Sequence, residues 1–248
     1  MRSCRILPLC FCALALVGES TVPPQQFPYP EKLSYRVEWR LVTAGEATLQ
    51  FSRSERDWQL DLHLASAGLV SRLYGVLDTY KLTSDEHFCA LRSSLDAQEG
   101  KRHSATVVEF DNARHKLSYS EKDFVKNTAD KHELDVAPCT FELPGALIAL
   151  RALRLEPGKT IAFPVTTGKK LVNAKVEAEA KDTVTVDGKN YSTVRYQAFV
   201  FDNVLYRRKG RLFVWMTDDG DRVPVRLQFQ MGFPIGAITL DLEKREKL

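Results

Sequence analysis

Hydrophobic and polar residues alternate along the first third of this chain. Three runs with a period of two span residues 33–41, 47–52 and 58–64. A strand with this pattern buries one face and exposes the other to solvent. Residues 43–46 supply a turn between the first two runs, so the pattern predicts an antiparallel meander at the start of the fold.

Two segments interrupt this pattern with apolar residues at helical spacing. Residues 68–77 predict a short amphipathic helix or turn that lies over the sheet. Residues 144–154 predict a helix, because Pro144 suits a first helical turn and Pro157-Gly158 ends the pattern.

Most of the remaining chain has the pattern of strands, separated by turn residues such as Asp187-Gly188. The polar residues 121–137 have no clear period and predict a long surface loop. The predicted further strands span residues 78–84, 88–97, 103–111, 114–120, 160–166, 170–180, 183–187, 190–202, 205–217, 222–232 and 235–244. The predicted fold is therefore mainly β, a large curved antiparallel sheet of the half-barrel or sandwich type, with one short central helix and a second short helical segment.

The first residues have the pattern of a secretory signal peptide. Arg2 and Arg5 precede an apolar run over residues 6–17, and small residues follow at Gly18 and Ser20. The run is shorter than the roughly 20 residues that a membrane-spanning helix needs. The sequence therefore predicts an exported protein, periplasmic or associated with the cell envelope.

The predicted domain organisation follows from these segments. Residues 1–20 are the signal peptide, residues 21–30 are a proline-rich linker, and residues 31–248 are a single β-rich domain. Its two halves, residues 31–137 and 158–248, are joined by the helix near 144–154. The alternation does not indicate whether the halves share one continuous sheet.

Two cysteines remain after the predicted signal peptide. Cys89 and Cys139 lie in a chain expected to be exported, where one disulfide forms readily. Two separate buried thiols are the alternative.

The charges are too balanced to predict a nucleic-acid partner. The formal net charge is +3, and basic and acidic residues are interspersed. The pairs Arg36/Arg40 and Arg222/Arg226 have strand spacing, and residues 206–211 form a basic turn. Such groups bind a phosphate, a carboxylate or a lipid headgroup in some proteins, and form a solvated, ion-paired face in others.

The sequence contains no recognisable catalytic, metal or cofactor motif. The five histidines are dispersed, and the acidic turn Asp218 to Asp221 suits a tight turn as well as a calcium ion. We therefore predict no enzyme, no metal and no cofactor. The enzymatic alternative is a hydrolase whose site forms from scattered acids with His63 or His103.

Several segments resemble one exported bacterial family, the domain of unknown function 3108. They are Glu31–Trp39 with Gly45 beyond, Gly68–Ser71 leading to Asp78, Leu147–Arg151, and the hairpin Leu212–Asp219 with Arg222–Val225. The family has no assigned activity. The last hairpin is also similar to the end of periplasmic lipoprotein carriers and outer-membrane lipoprotein receptors, which implies a curved half-barrel with a helical lid over an apolar cavity.

Large apolar side chains on the strands carry the functional hypothesis. In a closed sandwich they form a core, and in a half-barrel they line a cavity for an acyl chain or a lipid-modified partner. The candidate lining residues are Trp39, Phe51, Trp58, Trp215, Phe229 and Met231. We predict a non-enzymatic binding protein for an apolar ligand or envelope component. The alternative is an assembly factor that pairs with another envelope protein through a sheet edge.

Overall fold

Fifteen strands of this protein form one sheet. The computed structural model describes residues 29–248, so the predicted signal peptide and most of the predicted linker lie outside the described residues. The strands are β1 (Glu31–Trp39), β2 (Val42–Ser54), β3 (Asp57–Ser66), β4 (Val76–Ser84), β5 (Ala90–Glu99), β6 (Arg102–Asp111), β7 (Lys116–Asp123), β8 (Thr128–Asp135), β9 (Phe141–Glu142), β10 (Thr160–Thr166), β11 (Leu171–Val186), β12 (Lys189–Ala198), β13 (Gly210–Thr217), β14 (Pro224–Met231) and β15 (Ala237–Lys247). The two helices are α1 (Gly68–Leu73) and α2 (Leu143–Ala152). The mainly β, antiparallel fold predicted from the alternation is confirmed.

The strand order is almost the chain order. The sheet runs from β8 back to β1, continues with β15, and then runs from β14 back to β9. All neighbouring pairs are antiparallel except β9 and β10, which are parallel. The two halves of the chain are therefore joined into one sheet by the ladder between β1 and β15.

This topology places the connections at two ends of the sheet. We call the end reached by β1 at Trp39 the upper end and the other the lower end. The upper connections are residues 40–41, 67–75, 100–101, 124–127, 167–170, 199–209 and 232–236. The lower connections are residues 55–56, 85–89, 112–115, 136–140, 153–159, 187–188 and 218–223.

The two ends of the strand order approach each other through side chains. Lys169, between β10 and β11, lies 2.6 Å from a carboxylate oxygen of Glu121 on β7. A ring nitrogen of His132 on β8 lies 3.0 Å from the carbonyl oxygen of Gly168. Leu171 packs against the buried cluster of Val108, Leu117, Tyr119 and Val136. The curved sheet is thus nearly closed, without a ladder between β8 and β10.

Helix α2 packs on the inner side of this curved sheet, and its first turn lies beside Leu82 of β4 and Phe88 of a lower connection. It follows β9, which pairs with the last residues of β10. Near its other end, Arg151 forms a buried ion pair of 2.5 Å with Glu31 on β1. Arg151 also donates to the carbonyl oxygens of Asp221 and Arg222 in a lower connection. These contacts hold the helix in place.

The predicted loop over residues 121–137 is wrong. Strand β7 extends to Asp123, and residues 128–135 form β8. Since β8 is an edge strand with most of its residues exposed, it lacks the alternation of buried and exposed positions that marks a half-buried strand. Its charged residues fit an edge that is protected against pairing with other chains.

Three other boundaries differ from the prediction. The segments 170–180 and 183–187 are one strand, β11, with a register irregularity near Ala180. Residues 199–209 are a loop, although they were assigned to the end of the predicted strand 190–202 and the start of the predicted strand 205–217, and β13 begins at Gly210. Helix α1 ends at Leu73, and the rest of the predicted helical segment 68–77 leads into β4 at Val76; Val70 packs against the core, although no residue of the helix is fully buried.

Cys89 and Cys139 are joined by a disulfide in this structure. The bond connects two lower connections, one before β5 and one before β9. Their backbones also meet, because the amide of Ala90 donates to the carbonyl oxygen of Thr140. The start of helix α2 is thereby tied to the β-meander of the first half.

Candidate functional site

An apolar cavity lies between helix α2 and the inner face of the sheet. Its volume is about 220 Å³, and it is neither sealed nor a shallow groove. None of its lining residues is charged. They are Tyr35, Ala47, Leu49, Leu62, Leu143, Pro144, Ala146, Leu147, Leu150, Phe163, Val165, Ala174, Val176, Ala198, Val200, Leu212, Val214, Leu227, Phe229 and Leu240.

The strand registers place this cavity toward the upper end. Ala198, the last residue of β12, pairs with Leu212 on β13, and Leu212 pairs with Phe229 on β14. Phe229 is two residues from the end of its strand. Val200 continues the lining into the upper connection. The cavity therefore reaches the last rows of the sheet before the upper connections.

The chemistry of the lining excludes water as a stable occupant. A buried water needs two to four polar partners, and apolar cavities of about 150 Å³ stay dry and accept a molecule such as benzene. An empty cavity also costs stability, at about 24 cal/mol per Å³. For about 220 Å³ the cost is on the order of 5 kcal/mol, a large part of the stability of an ordinary domain.

A buried polar pair borders the cavity. Tyr80 on β4 donates a hydrogen bond to Glu142, which directly precedes the lining residue Leu143. Tyr80 also lies opposite Leu62, another lining residue. Burial raises the pKa of Glu142, although hydrogen bonds from Ser93 and Tyr80 favour its ionised form. Burial likewise raises the pKa of Tyr80. A hydroxyl and a carboxyl group thus lie next to the lining residues Leu62 and Leu143, outside the apolar lining itself.

Of the six side chains predicted to line a cavity, the structure places Phe229 there. Phe51 and Trp58 stack on each other, with ring centroids 4.5 Å apart, and pack against Phe88 near the lower end. They are core residues. Trp39 lies at the upper end, where its indole N–H donates to the carbonyl oxygen of Ile235.

Trp215 and Met231 also lie outside the cavity lining. Trp215 is on the opposite face of β13 from the lining residue Val214, and its indole N–H donates to Asp182. Met231, the last residue of β14, contacts Gly210 instead. The error at Trp215 has a simple cause, since β13 is buried on both faces and its sequence does not reveal which residues face inward.

Sequence reasoning missed most of the lining because it favoured large side chains. Small residues such as Ala47, Ala174 and Ala198 leave the space that larger residues would fill. Leu147 and Leu150 of helix α2 are three residues apart, a spacing that places them on one helix face, and both line the cavity. The helix predicted at residues 144–154 therefore covers the cavity, whereas residues 68–77, which were predicted to lie over the sheet, are absent from the lining.

The predicted basic pairs do not form two anion-binding faces. Arg36 pairs with Glu38 and Glu243, and Arg226 makes two contacts with Asp241. These are the ion-paired faces given as the alternative. Arg40 and Arg222 instead lie in connections. Arg40 donates to Ile235, while Arg222 donates to Leu150 and Tyr196.

The acidic turn and the histidines offer no catalytic or metal geometry. Asp219 accepts hydrogen bonds from Thr217 and from the amides of Asp221 and Arg222, as a tight turn requires. No group of three potential metal ligands occurs within residues 29–248. His63 contacts Thr79, and His103 contacts Asp96 and the ring of Phe124.

One solved structure shows the same kind of fold. A β-barrel-like protein of domain of unknown function DUF1849 from Brucella abortus matches with a TM-score of 0.61 at 10% identity, covering 90% of this chain and 99% of that chain. A DUF1089 family protein from Pseudomonas aeruginosa matches at 14% identity over 81% of this chain and 90% of that chain, with a TM-score of only 0.31. The first match supports a barrel-like architecture, whereas the second is too weak to show a shared fold.

Comparison with protein families confirms the resemblance found in the sequence. No curated protein matches this chain. In the described part of the chain, neither helix is long and apolar enough to cross a membrane. The family model described as Protein of unknown function (DUF3108) matches residues 34–243, which is nearly the whole sheet from β1 to β15. The chain therefore belongs to this family.

Proposed function

We propose that this protein is an exported binding protein that holds the apolar part of a ligand between helix α2 and the sheet. The observation that carries the proposal is the cavity of about 220 Å³ with no charged residue in its lining. Ligand sites are typically concave and apolar, with a few polar groups that orient the ligand. Burying an acyl chain in this space would replace the stability lost to an empty cavity.

The polar pair beside the cavity narrows the ligand class. Tyr80 and Glu142 can exchange hydrogen bonds with one polar group at the edge of the cavity. An amphiphile with one alkyl chain and a small hydrogen-bonding head matches this arrangement. A fatty acid or a similar single-chain lipid is the model ligand for experiments.

The alternative of strand addition has weaker support. The long edge strand is β8, since the other edge strand, β9, has only two residues. Charged side chains cover much of the length of β8, including Asp130, Lys131 and Glu133. Charged edge strands oppose pairing with another chain. A role based on edge pairing would predict a less protected edge.

The test is native mass spectrometry of the mature chain, purified from an exporting host without detergent, with solvent extraction of any adduct. Binding of a fluorescently labelled fatty acid is measured in parallel. We expect a stoichiometric apolar adduct, or saturable probe binding after the adduct is removed. If the wild-type chain shows neither, the proposal is wrong.

Two alanines of one hairpin give a matched pair of variants. Ala174 faces the cavity, while Ala162 is exposed on the neighbouring strand. Ala174→Phe fills the cavity and should weaken probe binding at least tenfold, and Ala162→Phe should bind as the wild type does. Ala198→Leu is a milder filling variant in case Ala174→Phe does not fold. Equal affinity in a folded filling variant and in the wild type would contradict binding in this cavity.

A further inference from the structure

Exposed apolar side chains are concentrated at the upper end of the sheet. Of the twelve large hydrophobic residues that are exposed within residues 29–248, ten lie in or next to the upper connections. These ten are Leu41, Val42, Leu69, Leu73, Tyr74, Leu77, Phe124, Val125, Tyr206 and Phe233. The other two, Leu153 and Leu248, lie at the lower end. Patches of this kind mark surfaces that contact a protein or a membrane.

The same end is strongly basic. The upper connections contain nine lysines and arginines, and Asp202 is their only acidic residue. The cations are Arg40, Arg72, Lys101, Lys126, Lys169, Lys170, Arg207, Arg208 and Lys209. The lower connections have five lysines and arginines against eight acidic residues. The connections at the upper end are therefore basic and those at the lower end are acidic, although the net charge of the molecule is small.

Several of these cations are free to meet an external anion. Lys169 pairs with Glu121, and Lys126 pairs with Asp123. Five others have no side-chain hydrogen bond or ion pair to any residue of the described chain. They are Arg72, Lys101, Arg207, Arg208 and Lys209.

One upper turn holds an apolar side chain outward at a cost in backbone strain. Arg40 and Leu41 form the two-residue connection between β1 and β2, with φ angles of 49° and 69°. Asparagine and glycine are the usual residues in such a turn, because other side chains are strained at positive φ. Leu41 is nevertheless present, and it is 92% exposed. Strained residues of this type often serve a function rather than stability.

We propose that the upper end docks on a lipid surface that carries anionic headgroups. Its exposed apolar residues belong to five separate connections with unpaired cations among them, and no single groove collects them. This arrangement suits a fluid interface, where apolar side chains enter the headgroup region and lysines and arginines meet anionic lipids. The inference does not depend on a ligand in the cavity, although the cavity reaches the same end.

The test is co-flotation of the mature chain with vesicles of phosphatidylglycerol and phosphatidylethanolamine. Vesicles of phosphatidylcholine alone serve as the neutral comparison. We expect binding to the anionic vesicles, and at least fivefold weaker binding to the neutral ones. Absence of binding to the anionic vesicles would overturn the proposal, as would equal binding to both kinds.

Variants at the two ends of the sheet test whether the vesicles bind the upper end or respond only to the overall charge and hydrophobicity of the protein. The change Leu41→Gly removes an exposed apolar side chain while relaxing the turn and keeps the bond from Arg40 to Ile235, so it should fold well and bind at least fivefold more weakly. The triple change of Arg207, Arg208 and Lys209 to Glu should have a larger effect. The lower-end controls are Leu248→Ser and the pair Arg56→Glu with Lys159→Glu, which should bind as the wild type does.

The remaining outcomes also decide the question. Controls that weaken binding as much as the upper-end variants would contradict the proposal. If the chain self-associates in sedimentation, and the upper-end variants abolish that association but still float with vesicles, the surface binds a second copy and the proposal is wrong. Ala174→Phe should retain full flotation, so loss of ligand binding and loss of docking are distinguishable.

Discussion

Asp78 is a carboxylate that the fold holds partly buried on the inner side of β4. Burial is the main cause that raises its pKa to about 6, and Glu99 adds to the effect. Its pKa in the unfolded chain is near the ordinary value of about 4. The fold therefore favours the neutral carboxyl group, and the folded state loses stability as the pH rises from about 4 to about 6.

Replacing Asp78 with asparagine should remove this penalty. Since the group is only half buried, solvent screening reduces the effect, and we expect a gain of about 1 kcal/mol in the free energy of unfolding at neutral pH. Below about pH 4 the gain should vanish. Urea unfolding of Asp78→Asn and wild type across this range measures it. A gain of equal size at every pH would show that ionisation is not the cause.

Arg151 anchors the helix that covers the cavity, through its buried contact with Glu31. Arg151→Met would leave that carboxylate with Arg245 as its remaining ion-pair partner. Losing one partner of a buried pair costs roughly 3–5 kcal/mol, so thermal unfolding should shift strongly downward. The exposed Arg154 is the matched control, and Arg154→Met should change stability by less than about 0.5 kcal/mol. Similar small effects of both changes would contradict the anchoring role.

At the residue scale, sequence alone located the covering helix better than the cavity. The spacing of Leu147 and Leu150 defines one face of a helix, and that face lines the cavity. Trp215 was misplaced because both faces of β13 are buried and its hydrophobicity does not alternate. The alanines that create the space have no sequence signal, since their importance depends on what lies opposite them.

Glu121 and Lys169 connect elements that are far apart in the strand order. Burial opposes the ionisation of Glu121, but hydrogen bonds from Lys169, Tyr119 and Arg102 outweigh it and lower its pKa to about 2. The ionised form is thus favoured in the fold. Its contribution is present above the unfolded pKa of about 4.5 and disappears as the pH falls toward about 2.

Glu121→Gln should therefore loosen the contact between β7 and the β10–β11 turn. After allowance for solvent screening, we expect a loss of about 1 kcal/mol at neutral pH that shrinks as the pH falls from about 4.5 to about 2. Amide hydrogen exchange of β8 should accelerate in the variant, whereas exchange in the central β1 should not. Unchanged exchange in β8 would show that this ion pair does not hold the ends together.

At the element scale, prediction was reliable where strands are half buried. The runs in β1, β2 and β3 alternate, and all three segments are strands. The turn predicted at residues 43–46 is wrong, because these residues pair with β1 inside β2 and the chain turns at residues 40–41 instead. The edge strand β8 was taken for a loop because most of its residues are exposed. The alternation of hydrophobic and polar residues arises because one face of a strand is buried, so a strand that is exposed on both faces does not show it.

Loading the cavity should stabilise the whole molecule. A ligand that binds only the folded state raises the free energy of unfolding by about 2.7 kcal/mol when its free concentration is 100 times its dissociation constant. For a chain of this size, that corresponds to an increase in Tm of roughly 5–10 °C. Differential scanning calorimetry with and without a fatty acid measures it, with Ala174→Phe as the control that should respond weakly. An equal response of this variant would place the stabilising site elsewhere.

The sequence did not predict how the two halves of the chain are joined. Local alternation predicts that neighbouring strands pair, as they do from β1 to β8 and from β10 to β15. The ladder between β1 and β15 joins residues more than two hundred positions apart, such as Glu31 and Lys247. A local pattern does not identify strand partners so far apart in sequence, so the alternation was compatible with one sheet and with two.

That ladder has a consequence for how the chain is made. During synthesis β1 emerges first, and its partner β15 emerges last, so the first meander must wait with β1 as an unpaired edge. Pairing across such a separation is slow even in the finished chain, because a large loop must close. The centre of the mature sheet is thus the last part to be assembled. Until β15 emerges, one edge of β1 has no strand partner, and an unpaired strand edge is a site of aggregation.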